Sequence, residues 1–215
     1  MQSVTSTPGD PRIGQDPTTG HSSYGRLFVL SGPSGVGKDA LLSRVLGTVP
    51  GLTRSVSATT RPPRPHEVNG ADYHFISRTE FGRAIAENRF FEYAEYANNF
   101  YGTLRSTVEE QRARGLDVIL KIEVQGAKKV RELAPDAILI FVQPPSMEEL
   151  ERRLHTRDTD SESRIQERLA VARMEMEHIP LYDYLVVNDV LEITADALRA
   201  IVIAERHRIH CLIHG

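Results

Sequence analysis

The sequence has no tryptophan and a single cysteine, Cys211. One thiol excludes an internal disulfide framework, so a hydrophobic core has to hold the fold. No apolar run approaches the length that spans a bilayer. The first residues lack the apolar central stretch of a secretory signal. Positive charge is not in excess: 26 Lys and Arg stand against 29 Asp and Glu, a formal net charge of −3. That excludes a global basic field of the kind that recruits nucleic acid or a membrane surface, and leaves room for a local basic pocket. His155, His178, His207, His210 and His214 show no metal-ligand spacing, and no internal repeat is visible. A cytoplasmic protein is expected, with no nucleic-acid or membrane partner.

What is present is an ordinary globular composition. The 215 residues are 40% hydrophobic and 26% charged, enough for one domain with a real core. Residues 1–25 are rich in Ser, Thr, Pro and Gly without periodicity and are expected to be a disordered extension. Asp10 and Asp16 argue against an organelle-targeting peptide.

The chain is organised around Gly32-Pro33-Ser34-Gly35-Val36-Gly37-Lys38-Asp39. An apolar run, Leu27 to Leu30, precedes it, and a helical pattern beginning Ala40-Leu41-Leu42 follows. Strand, glycine loop and helix in that order are the context of a phosphate-binding loop. Glycines let successive N–H groups point at phosphate oxygens, the helix adds its positive dipole end, and Lys38 adds a cation. The alternative for such a loop is a tight turn. The pattern wants Ser or Thr after the lysine, to hold magnesium; here it is Asp39.

Beyond the loop, a helix is expected from Lys38 to Leu46, ended near Gly47, and a short strand over Thr53 to Ser57. Thr59 to Pro65 carries three prolines and two arginines, so it reads as a rigid, extended basic loop. Tyr73 to Ile76 and Phe90 to Tyr96 read as strands, with a helix from Thr79, its N-cap, to Glu87 between them. This is a small α+β insertion. The α/β rhythm resumes with a helix over Arg105 to Arg114, a strand over Val118 to Glu123, a helix over Gln125 to Leu133 and a strand over Ala137 to Val142. Ser146 caps the next helix, with Glu149 as its capping-box partner. A long helix follows through Ile165, Leu169, Ala172 and Met176, then a strand over Tyr184 to Val187 and a helix from Thr194 to about Arg208. The fold class is α/β, with a parallel sheet covered by helices on both faces.

Ser57, Arg61, Arg64 and Tyr73 form a second constellation. Two arginines on a proline-stiffened loop suit a phosphate dianion, because a guanidinium forks bidentately and keeps its charge; the alternative is a solvated basic loop. Glu92 and Glu123 form a third. A carboxylate accepts two parallel hydrogen bonds, and guanine offers such a pair at N1–H and its 2-amino group where adenine does not. The alternative for each is a surface salt bridge.

Six collinear segments then resemble the guanylate kinases of the nucleoside monophosphate kinase family. They are GPSGVGK, SATTRPPRPHEVNGADYHF, FFEYAEYANNFYGT, IEVQGA, PPSMEELERRL and VVND. The resemblance spans roughly residues 26–207. It implies a P-loop kinase fold with a domain over 26–208: a core over 26–56 and 104–208, an inserted monophosphate-binding subdomain over about 57–103, and a helical lid over about 153–168, before a tail at 209–215. It implies that Gly32 to Asp39, with Lys38, bind the ATP phosphates. Ser57, Arg61, Arg64, Tyr73 and Tyr101 would hold the GMP phosphate, and Glu92, Thr103 and Glu123 would read guanine. Arg153, Arg157 and Arg168 would close on the transferring group, and Asn188 would lie near adenine. The implied reaction is ATP + GMP → ADP + GDP with Mg²⁺, and dGMP as a further acceptor. Related alternatives are a ribose 1,5-bisphosphate phosphokinase-like enzyme and a non-catalytic guanylate-kinase-like interaction domain.

The chain departs from the family pattern twice. Asp39 stands where Ser is usual, and Lys121-Ile122-Glu123 stands where Asp-Ile-Asp is usual. One carboxylate is gained and one replaced by an ammonium. Residues 121 and 123 are expected on one face of a strand, with Lys121 paired to Asp39 or to a phosphate and Asp39 a candidate magnesium ligand, directly or through water.

Overall fold

The computed structural model describes residues 24–96, 98–156 and 161–208. In chain order the elements are β1 (Leu27–Ser31), α1 (Lys38–Val45), β2 (Leu52–Arg54), β3 (Ala58–Thr59), β4 (His74–Phe75), α2 (Arg78–Ala86), β5 (Phe90–Tyr96), β6 (Asn99–Leu104), α3 (Arg105–Ala113), β7 (Asp117–Lys121), α4 (Val124–Leu133), β8 (Ile138–Gln143), α5 (Met147–His155), α6 (Glu162–Met176), β9 (Tyr184–Val187) and α7 (Leu191–Arg206). A single turn of 3₁₀ helix, Ile179–Leu181, precedes β9.

Strand β1 is buried along its whole length, which is why its sequence is a continuous apolar run rather than an alternation. It is the middle strand of a five-stranded sheet of order β2-β7-β1-β8-β9, every pair of which is parallel. Side chains alternate between the two faces. Phe28 and Leu30 join Leu41, Val45, Leu198 and Val202 of α1 and α7 in one core. Leu27 and Val29 join Val108, Ala127 and Val130 of α3 and α4 in the other. The result is a helix–sheet–helix sandwich. In it the carboxyl ends of β1 and β7 lie side by side, with Leu30 level with Lys121.

The second sheet has order β4-β3-β6-β5. It has a core of its own, Ala58, Phe81, Ala84 and Phe90. Phe81 stacks on Phe90 at 4.4 Å and on Phe100 at 5.4 Å, a geometry that adds to plain area burial. Helix α4 of the large sheet packs against β5 of the small one. Leu150 and Leu154 of α5 meet Ile165, Leu169 and Ala172 of α6 in a third cluster.

Several boundaries differ from the sequence expectation. Helix α2 starts earlier, because Ser77 rather than Thr79 is its N-cap and forms a complete capping box with Glu80. Ser146 does cap α5 through the Glu149 N–H. The Glu149 carboxylate, however, turns to Arg152 and Arg153, charged partners that outcompete a neutral backbone N–H. The strand expected over Thr53 to Ser57 ends at Arg54, and β6 was not anticipated. Strand β7 ends at Lys121, and Glu123 is the N-cap residue of α4. Lys121 and Glu123 therefore do not share a strand face. Arg157, residues 1–23 of the expected extension and Cys211 lie outside the described residues. Among the described residues, no helix is long and apolar enough to cross a membrane.

Candidate active site

The loop between β1 and α1 is shaped by its glycines. Gly37 is the N-cap residue of α1 with φ 100° and no side-chain cap. A Cβ there would sit 2.6 Å from Asn188 Nδ2. With no side chain over them, the first N–H groups of α1 lack a side-chain cap of the usual kind, which is the physical basis of an anion site. Lys38 is the first residue of the helix and only 8% exposed. Its Nζ donates to the carbonyls of Gly32 and Pro33 and lies 3.4 Å from Glu123 Oε2. The Val36 carbonyl accepts from Asn188 Nδ2 at 2.8 Å and from Arg153 Nη1 at 3.3 Å. Arg168 Nη2 donates to Ser34 Oγ at 2.8 Å. Arginines from α5 and α6 thus reach the same loop as Lys38. Arg153 is also bonded to Glu149; the guanidinium groups of Arg152 and Arg153 hold the Glu149 carboxyl down to about 2.

Asp39, the second residue of α1, is ion-paired with Lys121 at the end of β7. The side chains are 74% and 34% exposed. The two departures from the family pattern are therefore in direct contact. Parallel pairing of β1 with β7 brings them together.

On the small sheet, Arg61 stands over the rings of Tyr73 and Phe75, at 5.6 and 5.8 Å. Tyr101 lies edge-on to Tyr73 at 6.0 Å. Arg61 Nη2 donates to Glu67 Oε1 at 2.6 Å, and the Arg64 N–H donates to Glu67 Oε2 at 2.7 Å. These bonds, the Arg61 one foremost, hold the Glu67 carboxyl below its usual range. Ser57 is half-buried and its carbonyl ties β3 to β4 by accepting from the His74 N–H. The Arg64 side chain is exposed.

Glu92 of β5 accepts from Thr103 Oγ1 at 2.7 Å. Burial pushes its carboxyl up, against the Thr103 hydroxyl and the Lys129 charge, which pull it down. Glu123 is brought to Lys38 rather than to Thr103, and acts on Glu92 as a like charge. The three candidate base readers therefore form a bonded pair and a neighbour that bridges toward the P-loop.

Two residues escaped sequence reading. Glu67 fixes the arginine loop; its signal was there, three residues beyond Arg64 in a loop already marked as basic. Glu175 of α6 has its carboxyl raised to about 7, chiefly by burial and then by Glu123, with Lys38 and His178 opposing. One glutamate on an amphipathic helix carries no sequence mark of such a place. Together the residues offer a cationic glycine loop, a second cationic cluster and a half-buried carboxylate with a hydroxyl beside it.

A family model described as guanylate kinase matches residues 24–205. The chain belongs to the guanylate kinase family. Similar guanylate kinases include that of Rubrobacter xylanophilus, 57% identical over 77% of this chain and 86% of its own length. That of a Thermus thermophilus strain is 51% identical over 86% of this chain and 83% of its own length. That of Desulfitobacterium hafniense is 48% identical over 87% and 94%. The crystal structure of guanylate kinase from Anaplasma phagocytophilum is similar with a TM-score of 0.66 and 38% identity, covering 86% of this chain and 88% of that one. The α/β architecture with a P-loop is that of the guanylate kinases, which are nucleotide-binding phosphotransferases.

Proposed function

We propose that the chain transfers the γ-phosphoryl group of ATP to GMP, and to dGMP, giving ADP and the nucleoside diphosphate. The observation that carries this reading is Glu92. A half-buried carboxylate bonded to the Thr103 hydroxyl offers acceptors for N1–H and the 2-amino group of guanine, on the sheet whose β3 leads into the Arg61 loop.

In this reading the P-loop N–H groups and Lys38 bind the donor phosphates, and Arg61, Arg64, Ser57, Tyr73 and Tyr101 hold the acceptor phosphate. An oxygen of the GMP phosphate attacks the γ-phosphorus while the bond to the ADP oxygen breaks. The acceptor is already an anion, so alignment and charge neutralisation do the work. Arg153 and Arg168, held at Val36 and Ser34, neutralise charge spreading over the transferring oxygens, and Arg157 is proposed to join them. Asn188 supports the loop through Val36, and an adenine contact would use its remaining polar groups. The small sheet is the monophosphate-binding subdomain and the α5–α6 corner the lid, whose closure excludes water.

Magnesium would neutralise the donor phosphates. It keeps most of its own waters and takes one or two carboxylates besides phosphate oxygens. Asp39, exposed on the first turn of α1, offers one such carboxylate, so the residues present fit the ion.

A coupled assay for ADP formation tests the proposal across GMP, dGMP, AMP, UMP and ribose 1,5-bisphosphate. GMP and dGMP are expected to exceed AMP and UMP by at least about a hundredfold in kcat/KM, since an unmatched polar edge leaves buried groups unpaired. A preference for the bisphosphate would overturn the base assignment. Absence of ADP formation from ATP, GMP and Mg²⁺ would reduce the chain to an interaction domain.

A further inference from the structure

The Glu92 side chain lies between the small sheet and α4. Its Oε1 accepts from Thr103. Its Oε2 faces Gly126, on the first turn of α4. A Cβ built on Gly126 would stand 3.2 Å from Glu92 Cγ and 3.3 Å from Oε2, closer than ordinary van der Waals contact, so any side chain at 126 has to move the carboxylate. The backbone gives no reason for glycine here. Gly126 is helical, and in a helix glycine is less favourable than alanine. The approach of Glu92 does give a reason.

One turn further along the same face, Lys129 places its Nζ 4.9 Å from the ring centre of Tyr93, the residue after Glu92 on β5. The aromatic face holds the ammonium, and the ammonium acts on Glu92. The other charge bearing on Glu92 is Glu123 at the α4 N-cap, which opposes Lys129. From β6 comes the neutral Thr103 hydroxyl. Across α4, Lys128, Lys129, Glu175 and His178 line a cavity of about 570 Å³ against α6.

We propose that Gly126 and Lys129 are positioning residues for base selection: the bare face of Gly126 fixes where the Glu92 carboxylate stands, and the Lys129 ammonium, held on the Tyr93 ring, favours its anionic form. The inference rests on Glu92 as the reader of guanine. An ionised carboxylate accepts both guanine donors, while a protonated one turns a donor toward a donor. Burial already raises the Glu92 pKa, so removing Lys129 raises it further and moves the acid-side loss of GMP affinity to higher pH.

The test is steady-state kinetics against GMP and ATP between pH 5 and 8 for the parent and for Lys129→Met, Lys129→Arg, Gly126→Ala and Glu92→Gln. Lys129→Met is expected to raise the GMP KM about fivefold at the acid end, with a smaller effect at pH 8, and kcat at saturating GMP within about twofold. Lys129→Arg restores the parent profile. Gly126→Ala raises the GMP KM about equally at every pH, because it displaces the carboxylate without changing its charge. The ATP KM stays at the parent value in both. An unchanged GMP KM and pH profile in Lys129→Met and Gly126→Ala, or an equal rise in the ATP KM, overturns the inference. Glu92→Gln separates the two levels: if it leaves GMP kinetics unchanged, the base-reading role itself fails, whereas a large loss there with silent α4 variants removes only the α4 contribution.

Discussion

Changing Lys121 to methionine leaves the Asp39 carboxylate on the first turn of α1 without its counter-cation. Unit charges in contact interact by about 1 kcal/mol in bulk water and about 4 kcal/mol at an effective dielectric of about 20. Asp39 is 74% exposed and Lys121 34%, which puts the pair near the aqueous limit. Holding a long side chain in place and screening by salt reduce it further, so the coupling is about 0.5–1 kcal/mol. A double-mutant cycle of Asp39→Ser, Lys121→Met and both together, read by urea unfolding at low and high salt, measures that coupling directly. The same variants report on the metal. An unpaired Asp39 attracts a cation more strongly, so Lys121→Met is expected to lower the Mg²⁺ concentration for half-maximal binding of a non-hydrolysable ATP analogue by about two- to fivefold, the same free energy expressed as affinity. Asp39→Ser moves the midpoint the other way. Unfolding free energies that add within about 0.3 kcal/mol, together with an unmoved Mg²⁺ midpoint in Lys121→Met, would refute the reasoning and leave two independent substitutions that happen to touch.

Glu67→Gln is expected to raise the GMP KM about fivefold or more with little change in the ATP KM, because it weakens the charge-assisted bond that holds Arg61; equal kinetics for both substrates would show that the arginine loop is held without it. The raised Glu175 carboxyl, at about 7, is a destabilising contribution that grows as pH rises from the unfolded value to the folded one. Below that window both states are protonated and the contribution is absent. Glu175→Gln is therefore expected to be the more stable protein at pH 8 by about 1–2 kcal/mol, a figure discounted for partial solvent access, with the gap closing toward pH 4.5. Thermal melts across that range check it, and a gap independent of pH would remove burial of the charge as its cause.

The central sheet was legible because burial on both faces leaves an unmistakable pattern. Leu27 to Leu30 and Ile138 to Val142 are apolar without interruption, and their positions on either side of the P-loop order the rest. The small sheet was only half legible. Strand β6 runs Asn99-Phe100-Tyr101-Gly102-Thr103-Leu104, where asparagine and glycine dilute the strand signal. What holds it is pairing along the whole of β5, a tertiary fact. Thr79 lost the N-cap to Ser77 because Ser77 has Glu80 three residues on, a pairing visible in the sequence once both candidates are compared. Glu123 resisted reading for a different reason. β7 ends at Lys121, so Glu123 becomes the N-cap residue of α4 and lies beside Lys38, a boundary that the apolar run up to Ile122 does not mark.

The four cations proposed to serve the phosphates are each paired within a chain of net charge −3. Lys38 has Glu123, Lys121 has Asp39, Arg61 has Glu67, and Arg153 has Glu149. Each cation meets a carboxylate from the chain itself, so no strong positive field accumulates to repel the folded state. Two of these four carboxylates, Glu123 and Asp39, are substantially exposed, which keeps those two pairs worth about 1 kcal/mol or less. A phosphate can therefore take the cation with little opposition, while the carboxylate has held the side chain within reach. Glu149 and Arg153 are more sheltered, and Glu67 and Arg61 most of all, both only 16% exposed. At that position a phosphate would add to the existing pair rather than displace it, because Glu67 also holds the Arg64 N–H and a guanidinium has donors for both anions. Under the proposed assignment, Lys38 and Lys121 on the donor side meet exposed carboxylates, and Arg61 on the acceptor side meets a sheltered one. Under that assignment the more preformed half of the site is the Arg61 loop beside the small sheet, on the side where selectivity for the acceptor is proposed to reside.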